Sequence, residues 1–302
     1  MYYKDNWLTW YYDDVEYGPK TSPNSKFELK IKPTINRQIK SYKEELLLNA
    51  SRIRDTFSEP FDLMLSGGVD SEVILRCYRE LKVPVNVFVF KYENNYNLPD
   101  VTHALKICEG LNITPTVIDL NLQKFFEHEA YDIWTTGYYL NSGRLPHMKM
   151  IEYLDNIPIM GDGCPYWSYY DGTWKLELDE DCHAQSIYCK TIGRTMIADW
   201  YEHSPEVLVS HMNHPLIRNM KRTQKTSLEF VNTKYILHKQ LWDDIELRPK
   251  RVGFEGSMKP GMNASKPDFM LDFNKNYITD VMTNSDYLFS KEDLLSATHL
   301  PK

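Results

Sequence analysis

The sequence predicts an α/β protein built on a parallel, doubly wound sheet, with a small β element before it and a mainly helical region after it. Three observations carry that prediction. Short apolar runs alternate with stretches of helical periodicity between residues 61 and 120. A Ser-Gly-Gly break at 66–68 separates the first run from the first periodic stretch. The 302 residues are 42% hydrophobic and 25% charged, ordinary globular values that supply a core without disulfide staples.

Residues 1–34 are rich in Tyr and Trp, and Leu8–Tyr12 and Phe27–Ile31 read as strands around a loop marked by Gly18-Pro19. They predict a small β appendage over 1–34. Ile35, Ile39, Tyr42, Leu46, Ala50, Ile53 and Phe57 recur at spacings of three and four, which predicts one amphipathic helix closed by Glu59-Pro60. Phe61–Leu65 is apolar and too short for a helix, so it is the first strand of the core. From Val69 the apolar positions 69, 73, 74, 77, 78 and 81 are helical, and Pro84 closes that helix. Val85–Phe90 is β-branched and aromatic, the composition of a buried strand.

Val101, Ala104, Leu105, Cys108 and Leu111 predict the next helix, and Thr114–Leu120 a third strand. Strand, helix, strand, helix, strand in this order implies parallel strands joined by right-handed crossovers. Leu145–Leu154 can form a helix and Ile157–Met160 a fourth strand, ending at Gly161-Asp162-Gly163. The core is thus expected over 35–163 and a helical region over 164–302. Within the latter, 166–185 suggests a hairpin, 186–247 is mainly helical, 248–267 is a Gly/Pro/Lys/Arg loop, and Lys291–Ala297 a short helix. The weakly patterned stretches 121–145 and 164–215 are where an acceptor pocket would be built.

Composition removes some functions. The net charge of −7 argues against a general nucleic-acid binder, because affinity for phosphate backbones needs clustered cations. No apolar run reaches bilayer-spanning length, and the N-terminus has no signal-like pattern. Five scattered cysteines, at 77, 108, 164, 182 and 189, suit a reducing compartment, so a cytoplasmic location is expected.

The segment Ser66-Gly67-Gly68-Val69-Asp70-Ser71 carries the chemistry. A strand that turns through two glycines into a helix presents backbone N–H groups outward, and the helix N-terminus adds partial positive charge. Ser66 and Ser71 offer hydroxyls. Asp70 would repel phosphate on its own and makes sense as a ligand for Mg²⁺ bridging phosphate oxygens. The bland alternative is a glycine-rich turn with an Asp/Ser cap. No Gly-Lys-Thr follows, so this is not a Walker A loop, nor is it a Gly-x-Gly-x-x-Gly dinucleotide turn.

Residues Ser66–Ser71 resemble the Ser-Gly-Gly-x-Asp-Ser signature of the PP-loop ATP pyrophosphatases, of the adenine nucleotide alpha-hydrolase type. The resemblance implies a parallel α/β fold and cleavage of ATP between its α and β phosphates. It implies adenine near the second strand, at Val89 and Phe90. Gly161, Asp162 and Gly163 stand about where asparagine synthetases carry a Gly-x-Gly-Ser-Asp-Glu loop, with Asp162 a second candidate for Mg²⁺; Cys164-Pro165-Tyr166 replaces Ser-Asp-Glu. Lys234–Leu237 and then Arg248-Pro249-Lys250 with Gly253-Phe254 resemble the C-terminal stretch of asparagine synthetases, where a lysine reaches the pyrophosphate. By that match Lys250 is the catalytic cation, with Arg248 beside it and Asp70 as the third catalytic candidate. His238 stands where an arginine is usual.

Glutamine-using asparagine synthetases begin with a glutaminase domain whose nucleophile is an N-terminal cysteine. Residue 2 here is Tyr and about 60 residues precede the first loop. The resemblance therefore implies a synthetase domain without its own glutaminase, using free ammonia, an amine from a separate donor, or another nucleophile. The leading expectation is an AMP-forming ligase acting on a small molecule with a carboxylate or amide oxygen, with ATP and Mg²⁺. The alternatives are a PP-loop enzyme that thiolates or amidates a nucleic-acid base, and a nucleotide-binding regulator without turnover.

Weaker signals remain. Cys182, His183 and Cys189 lack the Cys-x-x-Cys spacing of a zinc site. His211 and His214 read as structural. Cys164 is a candidate thiol beside the site, with a small buried cysteine as the default. The acidic run Leu178–Asp181 reads as a solvated loop.

Overall fold

The computed structural model describes residues 7–161, 167–170, 172–178, 180–219, 235–246, 267–278 and 287–295. Its centre is a four-stranded parallel sheet made of β4 (Phe61–Met64), β5 (Asn86–Tyr92), β6 (Thr116–Leu120) and β7 (Ile157–Met160), in the spatial order β6-β5-β4-β7. The chain moves outward from β4 through β5 to β6, then returns to the other side of β4. That reversal makes the sheet doubly wound and opens a crevice between the ends of β4 and β7.

Every residue of β4 is buried, because both its edges are paired and both its faces are covered. Met64 pairs with Phe88 on one side and Met160 on the other. Asp62 is a fully buried carboxylate in that strand. It accepts hydrogen bonds from the side chain of Asn86 at 2.8 Å and from the backbone and side chain of Asn156 at 2.9 and 2.8 Å. The carboxylate therefore ties three strands together at the end of the sheet opposite the crevice.

Helices α2 (Val69–Glu80) and α3 (Leu98–Gly110) are the crossovers, close to their expected bounds. Helix α1 (Tyr42–Thr56) starts seven residues later than Ile35, the first position of its apolar stripe. Ser41 and Glu44 form a reciprocal capping box that sets this start. Ile35 is still fully buried, but in an isolated parallel bridge to Leu295. Two short helices, α4 (Leu122–His128) and α5 (Ala130–Thr135), fill a stretch with no clear periodicity. Helix α6 (Leu145–Ile151) then leads to β7.

The two N-terminal strands stand at their expected bounds, as β1 (Leu8–Tyr12) and β3 (Phe27–Ile31), antiparallel, with the short β2 (Val15–Glu16) alongside β1. The hairpin expected over 166–185 is β8 (Trp167–Tyr170) and β9 (Thr173–Leu178). A third strand, β10 (Tyr287–Ser290), pairs antiparallel with β9 from far along the chain. After the hairpin come α7 (Ala184–Thr191), a 3₁₀ turn at Trp200–His203, α8 (Pro205–Asn213) and α9 (Pro215–Arg218), with a further helical segment at 235–241. No helix among the described residues is long and apolar enough to cross a membrane.

Candidate functional site

The loop between β4 and α2 sits at the crevice. Gly67 has a φ of +77°, and a Cβ on it would stand 2.1 Å from the carbonyl oxygen of Asp100 in α3. Glycine is required there for both reasons. Gly68 has an ordinary φ of −77° and is the N-cap of α2, with no side-chain cap on that helix. A Cβ on Gly68 would meet only the Ser66 hydroxyl oxygen, at 3.3 Å, so its outer side is open. The glycines thus form a cradle with no side chain in it, in front of the positive end of a twelve-residue helix.

The two serines differ. Ser71 is 1% exposed. Its hydroxyl accepts the Ser66 N–H at 3.2 Å, donates to the Gly68 carbonyl at 3.1 Å, and lies 3.1 Å from the Ser66 hydroxyl. It closes the loop on itself. Ser66 is exposed, and its hydroxyl accepts the Gly68 N–H at 3.3 Å. Val69 is buried in the core at the first position of α2.

Asp70 is buried, and its backbone carbonyl accepts a hydrogen bond from the Tyr201 hydroxyl at 2.8 Å. The phenols of Tyr42 and Tyr201 are pushed well above their usual range, first by complete burial and then by the negative charge of Asp70. Asp70 is a buried carboxylate in the first turn of α2, the donor type that suits Mg²⁺.

Gly161 closes the other side of the crevice. A Cβ on it would lie 2.8 Å from the Ser71 backbone nitrogen and 2.9 Å from the Ser71 Cα. The end of β7 therefore rests directly on the first turn of α2. Val89 and Phe90 lie in the outer half of β5, both buried, and their backbone positions pair with Val117 and Ile118. Just beyond them the side chain of Asn97 accepts the Tyr92 N–H and donates to the Phe90 carbonyl, both at 2.8 Å, which fixes this strand end.

Asp162, Gly163, Cys164, Arg248 and Lys250 lie outside the described residues. The segment before the last two is well anchored. Arg76 of α2 binds Glu72 at 2.8 Å and both carboxylate oxygens of Asp244 at 2.7 and 2.8 Å. Lys106 of α3 reaches Glu246 at 2.8 Å. His238 is fully buried and stacks on Tyr42 with ring centroids 6.0 Å apart, so it is a packing residue here.

Several residues at the site carry no sequence motif. The turn Asp199–His203 reaches the crevice twice, through the Tyr201 bond to Asp70 and through an antiparallel bridge between Asp199 and Gly161. His183 also belongs here. The sequence grouped it with Cys182 and Cys189, but Cys189 is buried with its thiol 3.3 Å from the Met196 sulfur. His183 instead faces Asp199, with Nδ1 at 3.3 Å from Oδ2. His211 accepts a hydrogen bond from the Trp167 indole at 2.9 Å and His214 accepts the Leu216 N–H, so both are structural.

Burial pushes the Cys108 thiol up to about 11 and the Cys189 thiol up to about 12, and raises Cys77 further. Their burial favours the neutral thiol over the nucleophilic thiolate.

A parallel doubly wound sheet with a Ser-Gly-Gly-x-Asp-Ser loop at its reversal point defines the PP-loop class of nucleotide-binding proteins. Residues 43–154 match the family model described as asparagine synthase. No curated protein matches the chain. Among solved structures, an NMN synthetase from Francisella tularensis is 17% identical with a TM-score of 0.34, covering 70% of this chain and 98% of that one. An NH3-dependent NAD synthetase from Campylobacter jejuni is 12% identical with a TM-score of 0.33, covering 78% and 91%. Likenesses this distant leave the substrates of those synthetases with those proteins.

Proposed function

We propose that this chain is an ATP-dependent ligase that activates a small carboxylate or amide oxygen for attack by an amine, with release of AMP and pyrophosphate. The single observation that supports this most is the loop at the β4–β7 crevice. It combines an empty glycine cradle, an uncapped helix N-terminus and the Asp70 carboxylate. Transfer to the α-phosphorus turns a poor leaving group into one that departs as AMP. The protein's part is positioning and electrostatics.

On this reading Ser66 and the first amides of α2 bind phosphate oxygens, and the helix dipole favours the charge that builds on departing pyrophosphate. Asp70, with Asp162 as the second candidate, would hold Mg²⁺, which supplies neutralisation of that charge when bound. Arg248 and Lys250 would supply further cations. The Lys106–Glu246 contact makes that reach feasible. Four extended residues from Glu246 to Lys250 span at most roughly 14 Å. Lys106 lies six helical residues, about 9 Å, from Asp100 at the loop. The amine comes free or from a separate donor, and the acceptor is a small molecule.

The test is ATP–pyrophosphate exchange across a panel of amino acids and other carboxylates, with AMP measured in parallel when ammonia is added. Exchange with one acceptor is the expected result. Absence of both exchange and AMP across the panel overturns the reading.

A further inference from the structure

We propose that His183, Asp199 and Glu202 form a binding site for one divalent transition-metal ion, of the zinc or manganese kind, next to the nucleotide crevice. The three side chains come from α7's leading turn, the strand-like segment beside β7, and the 3₁₀ turn that follows. One ligand atom from each lies within 4.8 Å of the other two.

The spacing suits such an ion. Ligands at about 2.1 Å in a tetrahedral shell stand roughly 3.4 Å apart. The His183 Nδ1 to Asp199 Oδ2 separation is 3.3 Å, the length of one edge of that shell. The Glu202 oxygen, within 4.8 Å of the other two, closes the triangle with a shift of at most about 1.4 Å. An imidazole with two carboxylates selects against Mg²⁺ and Ca²⁺, which prefer all-oxygen sets, and suits Zn²⁺ or Mn²⁺.

Burial and charge point the same way. His183 is 1% exposed and Glu202 2%. Carboxylates within 4.8 Å of each other repel, and a cation between them relieves that repulsion. Asp199 is oriented by the Ser186 hydroxyl, which donates to Oδ2 at 2.8 Å, the kind of outer hydrogen bond that fixes a metal ligand. The turn itself is pinned by the Trp7 indole, which donates to the Glu202 carbonyl at 2.8 Å, and by the Asn49 amide, which donates to the Trp200 carbonyl at 2.8 Å.

The cluster also faces a space. His183, Asp199 and Glu202 line a cavity of about 40 Å³, roofed by Leu8, Trp10 and Tyr17 of the N-terminal sheet. At roughly 10–15 Å³ per water, that is space for about three or four waters, enough for an ion with a water or one small ligand group. The same turn touches the nucleotide loop through Tyr201 and Gly161, so the ion would lie beside the reacting end of the crevice. The inference does not depend on the proposed ligase activity.

The test uses the full chain, stripped with a chelator and without ATP. Titration with Co²⁺ should give one equivalent with visible d–d bands of a four- or five-coordinate site, and Zn²⁺ should displace it. Asp199→Asn and Glu202→Gln, each checked for wild-type circular dichroism, should weaken Co²⁺ binding at least tenfold. His183→Gln should remove the nitrogen contribution to the spectrum. Two results overturn the proposal. One is a folded chain that binds no Co²⁺ or Zn²⁺, which would mean a shared proton or an imidazolium bridges the carboxylates. The other is unchanged binding in the folded Asp199→Asn and Glu202→Gln variants, which would place the ion elsewhere.

Discussion

Replacing Gly67 with alanine tests the geometry of the nucleotide loop directly. Two independent costs apply. A left-handed conformation costs an L-residue roughly 1–2 kcal/mol. The new Cβ would also stand 2.1 Å from the Asp100 carbonyl oxygen, so the loop and α3 must separate by about an ångström. Overpacking of that kind typically adds about 1–3 kcal/mol. The sum is roughly 2–5 kcal/mol. For 302 residues the unfolding entropy near the midpoint is about 0.6 kcal/mol/K, so Tm should fall by roughly 3–8 °C.

Gly68→Ala is the control. Its φ is ordinary and its Cβ meets only the Ser66 hydroxyl at 3.3 Å, so Tm should move little. The added methyl stands on the open side of the cradle, so ATP affinity should fall tenfold or more. Calorimetric unfolding and ATP titration of both variants give the answer. A Gly67→Ala protein with wild-type Tm would refute the close approach to α3. A Gly68→Ala protein with unchanged ATP affinity would refute phosphate binding at this face.

Three further outcomes are expected. Gly161→Ala, with a Cβ 2.8 Å from a backbone nitrogen of α2, should destabilise by about 1–3 kcal/mol in urea unfolding and weaken ATP binding as well. Arg76→Met removes the partner of the 2%-exposed Glu72 carboxylate and should cost roughly 3–5 kcal/mol, whereas Asp244→Asn, at a largely exposed acid, should cost under about 1 kcal/mol; matched urea melts would decide. Burial pushes the Glu45 carboxyl up, but two bonds from Arg37 at 2.7 and 2.6 Å and one from the Lys40 N–H outweigh it and hold it below its usual range. The folded state therefore gains from ionised Glu45 above the unfolded value of about 4.3 and loses that gain as pH falls through the lower folded value. Glu45→Gln should cost roughly 2–3 kcal/mol at pH 7, and the gap to wild type should close in unfolding curves taken in the acid range below about pH 4.

Much of the core was legible because its signals are local. A strand-forming run, two glycines and a helical stripe lie within twenty residues, and the turn they make needs nothing from elsewhere in the chain. The start of α1 was misplaced at Ile35, because the apolar stripe was followed past the Ser41–Glu44 capping box, a stronger boundary signal. Helices α4 and α5 were missed because seven and six residues are too few to show a period. Strand β10 was missed because Tyr287–Ser290 becomes a strand only through its pairing with β9.

The sequence by itself determined the Ser66–Ser71 loop, its strand–helix frame and the glycine and helix-terminus chemistry on which the proposed phosphate site rests. Only the tertiary structure decided what stands around that loop. Gly161 touches α2 because the strand order brings β7 beside β4, and Tyr201 reaches Asp70 across 131 positions of chain. The same folding sets His183, Asp199 and Glu202 around one cavity. Contacts of that range leave no spacing rule in the sequence, because they depend on which elements pack together rather than on the residues between them.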